Sequence, residues 1–286
     1  MSELIKSPMN YIGGKYKILP QILKLFPDEI NTFYDVFGGG GCVSLNVNSK
    51  KVYYNDIVSY VSDVLKGMKE LSSEKCIFQI KDIINNYSLS KTNTEGFEKL
   101  RDDYNNGRRD WLTFYVLMCY SFNYQYRFNN NHKYNSSFGY NRSCFSNVTA
   151  KKIQKAVEKL NSIDIVFDNK DFRDIDFFNI EENDLFYFDP PYLITCGNYN
   201  DGKRGFKGWV EQDDIDLMNI CDNLNDRNVK FAMSNVFENK LNKNQRLIEW
   251  AKGYKVNYIN NTYNNSNYQS KDKGNFTTVE VLITNY

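Results

Sequence analysis

One segment constrains the fold more than any other. Asp184-Leu185-Phe186-Tyr187-Phe188 is a continuous apolar run that stops abruptly at Asp189-Pro190-Pro191-Tyr192. A run that is apolar at every position suits a strand covered on both faces, as in a parallel α/β sheet. In such sheets ligands bind beyond the carboxyl ends of the strands, so the tetrapeptide stands where chemistry is done. Two prolines in series fix φ, remove two N–H donors and stiffen the loop, and the chain has only five prolines in 286 residues. The loop therefore presents acceptors: backbone carbonyls and the Asp189 carboxylate, beside the flat ring of Tyr192. That set suits a planar group bearing an exocyclic NH2, such as adenine, whose amino lone pair is delocalised into the ring. Acceptors gripping both hydrogens favour a pyramidal nitrogen with a localised lone pair, while Tyr192 stacks on a base turned out of its helix. A plain Asp-Pro-Pro turn has the same sequence, so its context must decide.

Composition removes other chemistries. The single histidine, His132, excludes histidine-based triads and multi-histidine zinc sites. The chain has 39 asparagines, which would also fit a disordered low-complexity chain. Against that, 41% of residues are hydrophobic and 16% aromatic, spread along the whole length, as in a globular protein. Six widely spaced cysteines without a CxxC pair, and no signal peptide at the start, predict reduced, mostly buried thiols in a cytoplasmic protein. No apolar run approaches the ~20 residues that span a bilayer, so no membrane association is expected.

Apolar spacing predicts a helix over Lys17–Phe26, a strand over Thr32–Phe37 that runs into Gly38-Gly39-Gly40-Gly41, a helix, and a second strand, Lys51–Tyr54, ending at Asn55-Asp56. Strand, glycine turn, helix, strand and acid form the layout of a nucleotide-binding α/β half. From about residue 59 helical stretches take over (61–71, 76–87, 97–104 and 111–120), followed by a polar aromatic loop, 121–149. Between Tyr104 and Lys155 stand Arg108, Arg109, Arg127, Lys133, Arg142, Lys151, Lys152 and Lys155 against Asp110 alone, in a chain of net charge +1. A basic aromatic stretch suits a face that meets nucleic acid phosphates, although a solvated face has the same charge. Alternating structure then resumes: a helix through Ile153, Val157 and Leu160, strands at 164–167, 184–188, 229–233 and 279–284, and helices at 215–224 and 245–252.

Five elements in this order resemble the Dam-like, D12 class of N6-adenine DNA methyltransferases, across nearly the whole chain. Met9-Asn10-Tyr11-Ile12-Gly13-Gly14-Lys15 resembles the N-terminal motif that wraps S-adenosylmethionine, and Asp35-Val36-Phe37-Gly38-Gly39-Gly40-Gly41 the family's glycine loop. Asn55-Asp56 matches the acid that binds the ribose hydroxyls, Asn169-Lys170-Asp171-Phe172 the element that meets the cofactor's adenine, and Asp189-Pro190-Pro191-Tyr192 the catalytic motif. Singly these are weak signals: a glycine turn has many uses, Lys15 could be a solvated lysine and Asp171 a capping aspartate. Their conjunction is specific. The resemblance implies a Rossmann-like S-adenosylmethionine-dependent methyltransferase sheet, formed by residues 1–58 and 148–286, with an inserted, mainly helical DNA-recognition domain at 59–147. It assigns catalysis to Asp189, Pro190, Pro191 and Tyr192, and cofactor binding to Tyr11, Lys15, Asp35, Phe37, Gly38, Gly39, Gly40, Asp56, Asp171 and Phe172. No metal is required.

Within the insert, Phe122-Asn123-Tyr124-Gln125-Tyr126-Arg127-Phe128-Asn129 and Tyr134-Asn135-Ser136-Ser137-Phe138-Gly139 resemble the family's target-recognition hairpin. The resemblance makes Phe122-Asn123 the pair that enters the duplex and Arg127 the reader of a guanine edge, with Gln125, Asn129, Asn135 and Ser137 as further DNA contacts. Gln125 and Ser137 depart from the apolar residues that GATC-modifying relatives set against thymine methyls, and a Gln prefers adenine. A phosphate contact for Arg127 is the alternative. Asn198–Trp209, with Lys203, Arg204 and Lys207 among glycines, suits either a flap over bound DNA or a surface loop. The implied partners are double-stranded DNA and, outside any stable complex, a cognate restriction endonuclease. Rival readings are an inactive DNA-binding relative, a methyltransferase acting on RNA adenine or a protein amide, and a Rossmann oxidoreductase that would leave Asp189–Tyr192 unexplained.

Overall fold

The computed structural model describes residues 3–195, 208–240, 242–260 and 278–286. In chain order these form α1 (Leu19–Leu23), β1 (Thr32–Asp35), β2 (Lys51–Asn55), α2 (Ser59–Lys69), α3 (Ser73–Asn86), α4 (Thr94–Asn105), α5 (Trp111–Tyr120) and α6 (Asn147–Ser162). There follow β3 (Ile165–Asp168), β4 (Leu185–Phe188), α7 (Glu211–Asp226), β5 (Lys230–Asn239), β6 (Asn242–Lys243), α8 (Gln245–Ala251), β7 (Lys255–Ile259) and β8 (Thr278–Thr284). The strands join in one sheet, ordered β3-β2-β1-β4-β5-β8-β7, with β6 attached to β5. β1 to β5 pair in parallel, and β8 runs antiparallel to both β5 and β7. The architecture is therefore the Rossmann-like α/β sheet expected, and no described helix is long and apolar enough to cross a membrane.

Every residue of β4 is buried because both faces of the sheet are covered. Alternation sends Leu185 and Tyr187 into one apolar cluster with Phe33, Val52 and Tyr54, and Phe186 and Phe188 into a second with Phe231, Met233 and Ile283. α7 and α8 seal the second face through Leu217, Cys221, Leu224 and Leu247. The first face continues into the helices of the insert: Val61 and Val64 of α2, Phe114 and Leu117 of α5, and Ile153 and Val157 of α6 belong to the same cluster as Phe33. α5 is buried almost all round, as the axial helix of that layer must be. Ser72, Asn93, Asp110 and Ser146 each accept a backbone N–H at the start of a helix, ending the connecting turns sharply.

Some expectations shift. The helix expected after the glycine turn does not form, and residues 42–46 make turns instead. So short a run repays the nucleation cost poorly, and the Asn46 amide binds the carbonyls of Cys42 and Ile5 (both 2.8 Å), tying the segment to the N-terminal arm. The helix expected over Lys17–Phe26 is shortened to α1, and a single 3-10 turn, Lys15–Lys17, precedes it. β5 reaches Asn239, beyond the expected 229–233, through a bulge between Val236 and Glu238. β7 was not expected at all; as an outer strand it is half solvated and carries Lys255, Asn257 and Tyr258, so it lacks an apolar run.

Candidate active site

The sheet order reverses direction between β1 and its neighbours β2 and β4, which opens a crevice at their carboxyl ends. Asp189 enters it directly from β4. Its Oδ1 lies 2.7 Å from Lys15 Nζ, with side-chain exposures of only 18% and 7% for the pair. The Tyr192 hydroxyl donates to the same oxygen at 3.0 Å, and Lys15 Nζ lies 5.0 Å from the Tyr192 ring centre. Lys15 also donates to the Gly13 carbonyl (3.1 Å), and the 3-10 turn that starts at Lys15 delivers its ammonium to the 189–192 loop. Burial pushes the Asp189 carboxyl above the usual range, Lys15 opposes this, and Glu280 adds to it. Burial, with Asp189 and Glu280, raises the Tyr192 phenol well above its ordinary value. Pro190 is buried beside them. Lys15, read from sequence as a cofactor residue, is thus paired with the loop expected to do the chemistry.

The glycine loop is held from below and beside. The Tyr54 hydroxyl donates to the Gly39 carbonyl (2.6 Å), Gly39 N–H donates to Asp56 Oδ2 (2.8 Å), and Val58 N–H donates to Asp56 Oδ1 (2.8 Å). Gly39 has φ of +49°, and a Cβ there would stand 2.7 Å from the Tyr11 ring. Tyr11, Gly39 and Asp56 are therefore assembled around one turn. Asp35, at the end of β1, is 1% exposed; Ser44 Oγ donates to its Oδ2 at 2.6 Å, while its Oδ1 is buried without a partner. Burial pushes the Asp35 carboxyl up to about 7, with the Ser44 hydrogen bond opposing and the charges of Asp189 and Asp56 adding. A buried acceptor that lacks a donor fits the cofactor implied by the sequence resemblance, which brings an ammonium.

Asn55 is the joint that sequence reasoning passed over in favour of Asp56. Fully buried, its amide donates to the carbonyls of Val36 (3.0 Å) and Lys170 (3.1 Å) and accepts from Lys170 N–H (2.8 Å). Asn169 adds bonds to the Asp56 carbonyl (2.8 Å) and Ser62 Oγ (2.5 Å). Together they carry 169–172 to the glycine loop, where Phe37, Phe172 and Trp209 form a triangle of rings with centroids 5.5–5.6 Å apart. Trp209 Nε1 is anchored on buried Asp214 (2.6 Å), which also accepts from Asn244 (2.7 Å). Asp171 is turned elsewhere: it accepts from Arg173 N–H (3.0 Å) and pairs with the Arg173 guanidinium, which also reaches Asp213 and Asp216 of α7. Residues 198–207 of the expected flap lie outside the described residues.

The hairpin of the insert makes two isolated antiparallel bridges, Ser121 with Phe138 and Phe128 with Tyr134, and no continuous ladder. Phe128, Tyr134 and Ser136 point into the helical layer, whereas Phe122, Asn123, Arg127, Asn135 and Ser137 are exposed and Gln125 half-buried. Asn105 fixes the hairpin by bonding both the N–H and the carbonyl of Tyr134 (2.7 and 3.0 Å). Asn129 is occupied in the turn, accepting from the N–H groups of Asn131 and Lys133 (2.9 and 3.0 Å). At the other end Asn123 and Tyr124 both take left-handed backbone (φ +56° and +57°), and the Asn10 side chain donates to the Asn123 carbonyl at 3.0 Å. The segment that carries Tyr11 and Lys15 thus touches the hairpin.

Comparison with known proteins gives a consistent picture. A family model described as D12 class N6 adenine-specific DNA methyltransferase matches residues 11–277. The chain is 48% identical over 285 residues to the type II methyltransferase M.FokI of Planomicrobium okeanokoites, covering 100% of this chain and 43% of that protein. It is 46% identical to the modification methylase StsI of Streptococcus sanguinis (99% and 43%) and 35% identical to the modification methylase LlaI of Lactococcus lactis subsp. lactis (99% and 44%). The chain therefore spans less than half the length of these three relatives.

Proposed function

The chain belongs to the D12 class of N6 adenine-specific DNA methyltransferases, and from that membership we propose that it transfers a methyl group from S-adenosylmethionine to adenine N6 within a short site in double-stranded DNA. The observation that carries the reading is the Lys15–Asp189–Tyr192 cluster at the end of β4, next to the partnerless oxygen of Asp35. The discontinuous unit 1–58 and 148–286 holds the cofactor, and 59–147 reads DNA. When bound, S-adenosylmethionine supplies a methyl carbon activated by a positive sulfur. Asp35 Oδ1 would hold the cofactor's ammonium, Asp56 its ribose hydroxyls, and Tyr11, Phe37 and Phe172 its adenosine. Asp189 and the Pro190 carbonyl take the two hydrogens of the target amino group, Pro191 keeps the loop rigid, and Tyr192 stacks on the flipped base. Lys15 holds Asp189 ionised and in place. Burial pushes the thiols of Cys42 and Cys119 up to about 12, so neither is a nucleophile at neutral pH, consistent with direct transfer.

As a modification methylase the protein works inside the cell, protecting DNA against a cognate endonuclease. The test is the chain alone with labelled-methyl S-adenosylmethionine and duplex DNA, followed by hydrolysis to nucleosides. Label in N6-methyl-2′-deoxyadenosine is expected, and label in any other nucleoside, or in none, overturns the proposal.

Two consequences follow from named residues. Asp35 must be ionised to hold an ammonium, so S-adenosylmethionine affinity, measured by calorimetry, is expected to fall about tenfold per pH unit below 7. Asp35→Asn should bind weakly at every pH. Because the folded-state value of Asp35 is raised, its contribution to the stability of the ligand-free protein is present at acid pH and lost as pH rises through 7. Asp35→Asn should therefore unfold at a higher temperature than wild type at pH 8. On the hairpin, Arg127→Ala is expected to cost about 1–3 kcal/mol of discrimination at one base pair. An equal loss on all sequences, with a shallower salt dependence, would assign Arg127 to a phosphate.

A further inference from the structure

Glu280 stands in β8 between two buried apolar cross-strand neighbours, Val236 and Ile259, and is itself 3% exposed. A carboxylate in such a row goes against the burial pattern of the strand and calls for a local use. Its Oε1 lies 3.5 Å from the Tyr192 hydroxyl, which donates to Asp189 Oδ1 at 3.0 Å. One hydroxyl proton therefore stands between two carboxylates, one of them in the catalytic motif. We propose that Glu280 is a positioning residue of the methyl-transfer site: it is the second acceptor for the Tyr192 hydroxyl, and through that hydroxyl and its own charge it enables Asp189 to take the proton that the methylated amino group sheds. This rests on the methyltransferase reading above.

The proton count requires such an acceptor. The amino nitrogen's lone pair forms the new N–C bond while the C–S electron pair stays on sulfur, which leaves the nitrogen positive, with two hydrogens and a methyl. One proton must leave, and Asp189 is the carboxylate at that nitrogen. Lys15, 2.7 Å from Asp189 Oδ1, works against protonation of Asp189. Glu280 works for it in two ways. Its charge opposes that of Lys15. Once Asp189 is neutral and a poorer acceptor, the Tyr192 hydroxyl turns from Asp189 to Glu280 and stays bonded, which keeps the stacking ring in place. The other groups that share the field of Asp189 are Asp35 from β1, Cys42 after the glycine loop and Tyr187 from β4, whose hydroxyl is bonded to Ser234.

The experiment compares wild type, Glu280→Gln and Glu280→Asp in single-turnover methyl transfer from pH 5.5 to 9, with S-adenosylmethionine affinity measured by calorimetry. Glu280→Gln keeps the shape and removes the charge: transfer is expected to slow about tenfold or more, with cofactor and DNA affinities within about twofold and the acid limb of the rate displaced to lower pH. Glu280→Asp keeps the charge but shortens the reach, so it should slow transfer with the acid limb in place; this variant decides if Glu280→Gln does not fold. A Glu280→Gln protein with the rate and acid limb of wild type overturns the proposal, as do two slow variants with identical, unshifted pH profiles. If wild type itself puts no methyl on adenine, the parent reading fails instead.

Discussion

Asp189→Ala is expected to lower single-turnover methyl transfer by at least about a thousandfold while S-adenosylmethionine still binds. In the proposed mechanism the side chain supplies one of the two acceptors on the amino group, and hydrogen bonds that act on developing charge in a closed site are worth about 10²–10³ in rate each. The substitution also frees the Tyr192 hydroxyl from its 3.0 Å acceptor and strips Lys15 of a partner at 2.7 Å, so base stacking suffers as well. Removing one member of a buried pair destabilises by about 3–5 kcal/mol, which makes Asp189→Asn the necessary companion: it retains shape and one acceptor oxygen but not the charge. Both variants should bind cofactor, because Asp35, Asp56 and the glycine loop are untouched. Equal labelling of adenine by wild type and Asp189→Ala would remove Asp189 from the mechanism.

Gly38→Ala should damage the protein before chemistry is reached. A Cβ at this position would lie 2.2 Å from Tyr54 Cε2 and 2.4 Å from Cδ2. Tyr54 cannot move aside: it is fully buried in β2, with its hydroxyl tied to Gly39 at 2.6 Å and its ring against Phe167 at 5.3 Å. Overpacking of this kind costs about 1–3 kcal/mol or more. The loop can only lift away from β2, breaking the 2.8 Å bond from Gly38 N–H to the Asn55 carbonyl. Urea unfolding should show the loss, and cofactor binding should weaken in proportion to loop displacement. Tyr54→Val in the same chain makes room, so the double variant should regain part of the stability lost by Gly38→Ala. A Gly38→Ala protein as stable as wild type would mean that the glycine answers to the ligand alone.

This second prediction shows where reading the sequence stops. The glycine loop was legible as a turn with missing side chains, and the natural explanation was close approach of a ligand. The structure adds another reason: the space above Gly38 and Gly39 is taken by Tyr54 and Tyr11 of the chain itself. Nothing local to Gly38 announces a tyrosine sixteen positions later, because the contact is made by the parallel pairing of β1 and β2. The same holds for Asn55 on Val36 and Lys170, and for Asn244 on Asp214. Each is an ordinary polar residue in sequence and becomes a support when the sheet brings its partner to it. Boundaries failed for a different reason: β7 lacks an apolar run because it is a half-exposed outer strand, and residues 42–46 lose their expected helix to an asparagine that bonds the backbone.

By itself, the sequence determined that the chain is a mixed α/β protein, that its central strand is β4, and that the loop after it offers acceptors and a flat ring, since proline stereochemistry and an unbroken apolar run are local properties. It also determined the order of the motifs, and with it the family. The tertiary structure alone decided what those motifs do to one another. It took Lys15 from the far end of the chain to Asp189, left one oxygen of Asp35 buried without a donor, and brought Glu280 from the last strand to the Tyr192 hydroxyl. Electrostatic coupling depends on distance and burial, and the contacting pairs lie as much as 174 positions apart along the sequence (Lys15 to Asp189), a separation that only the tertiary fold removes.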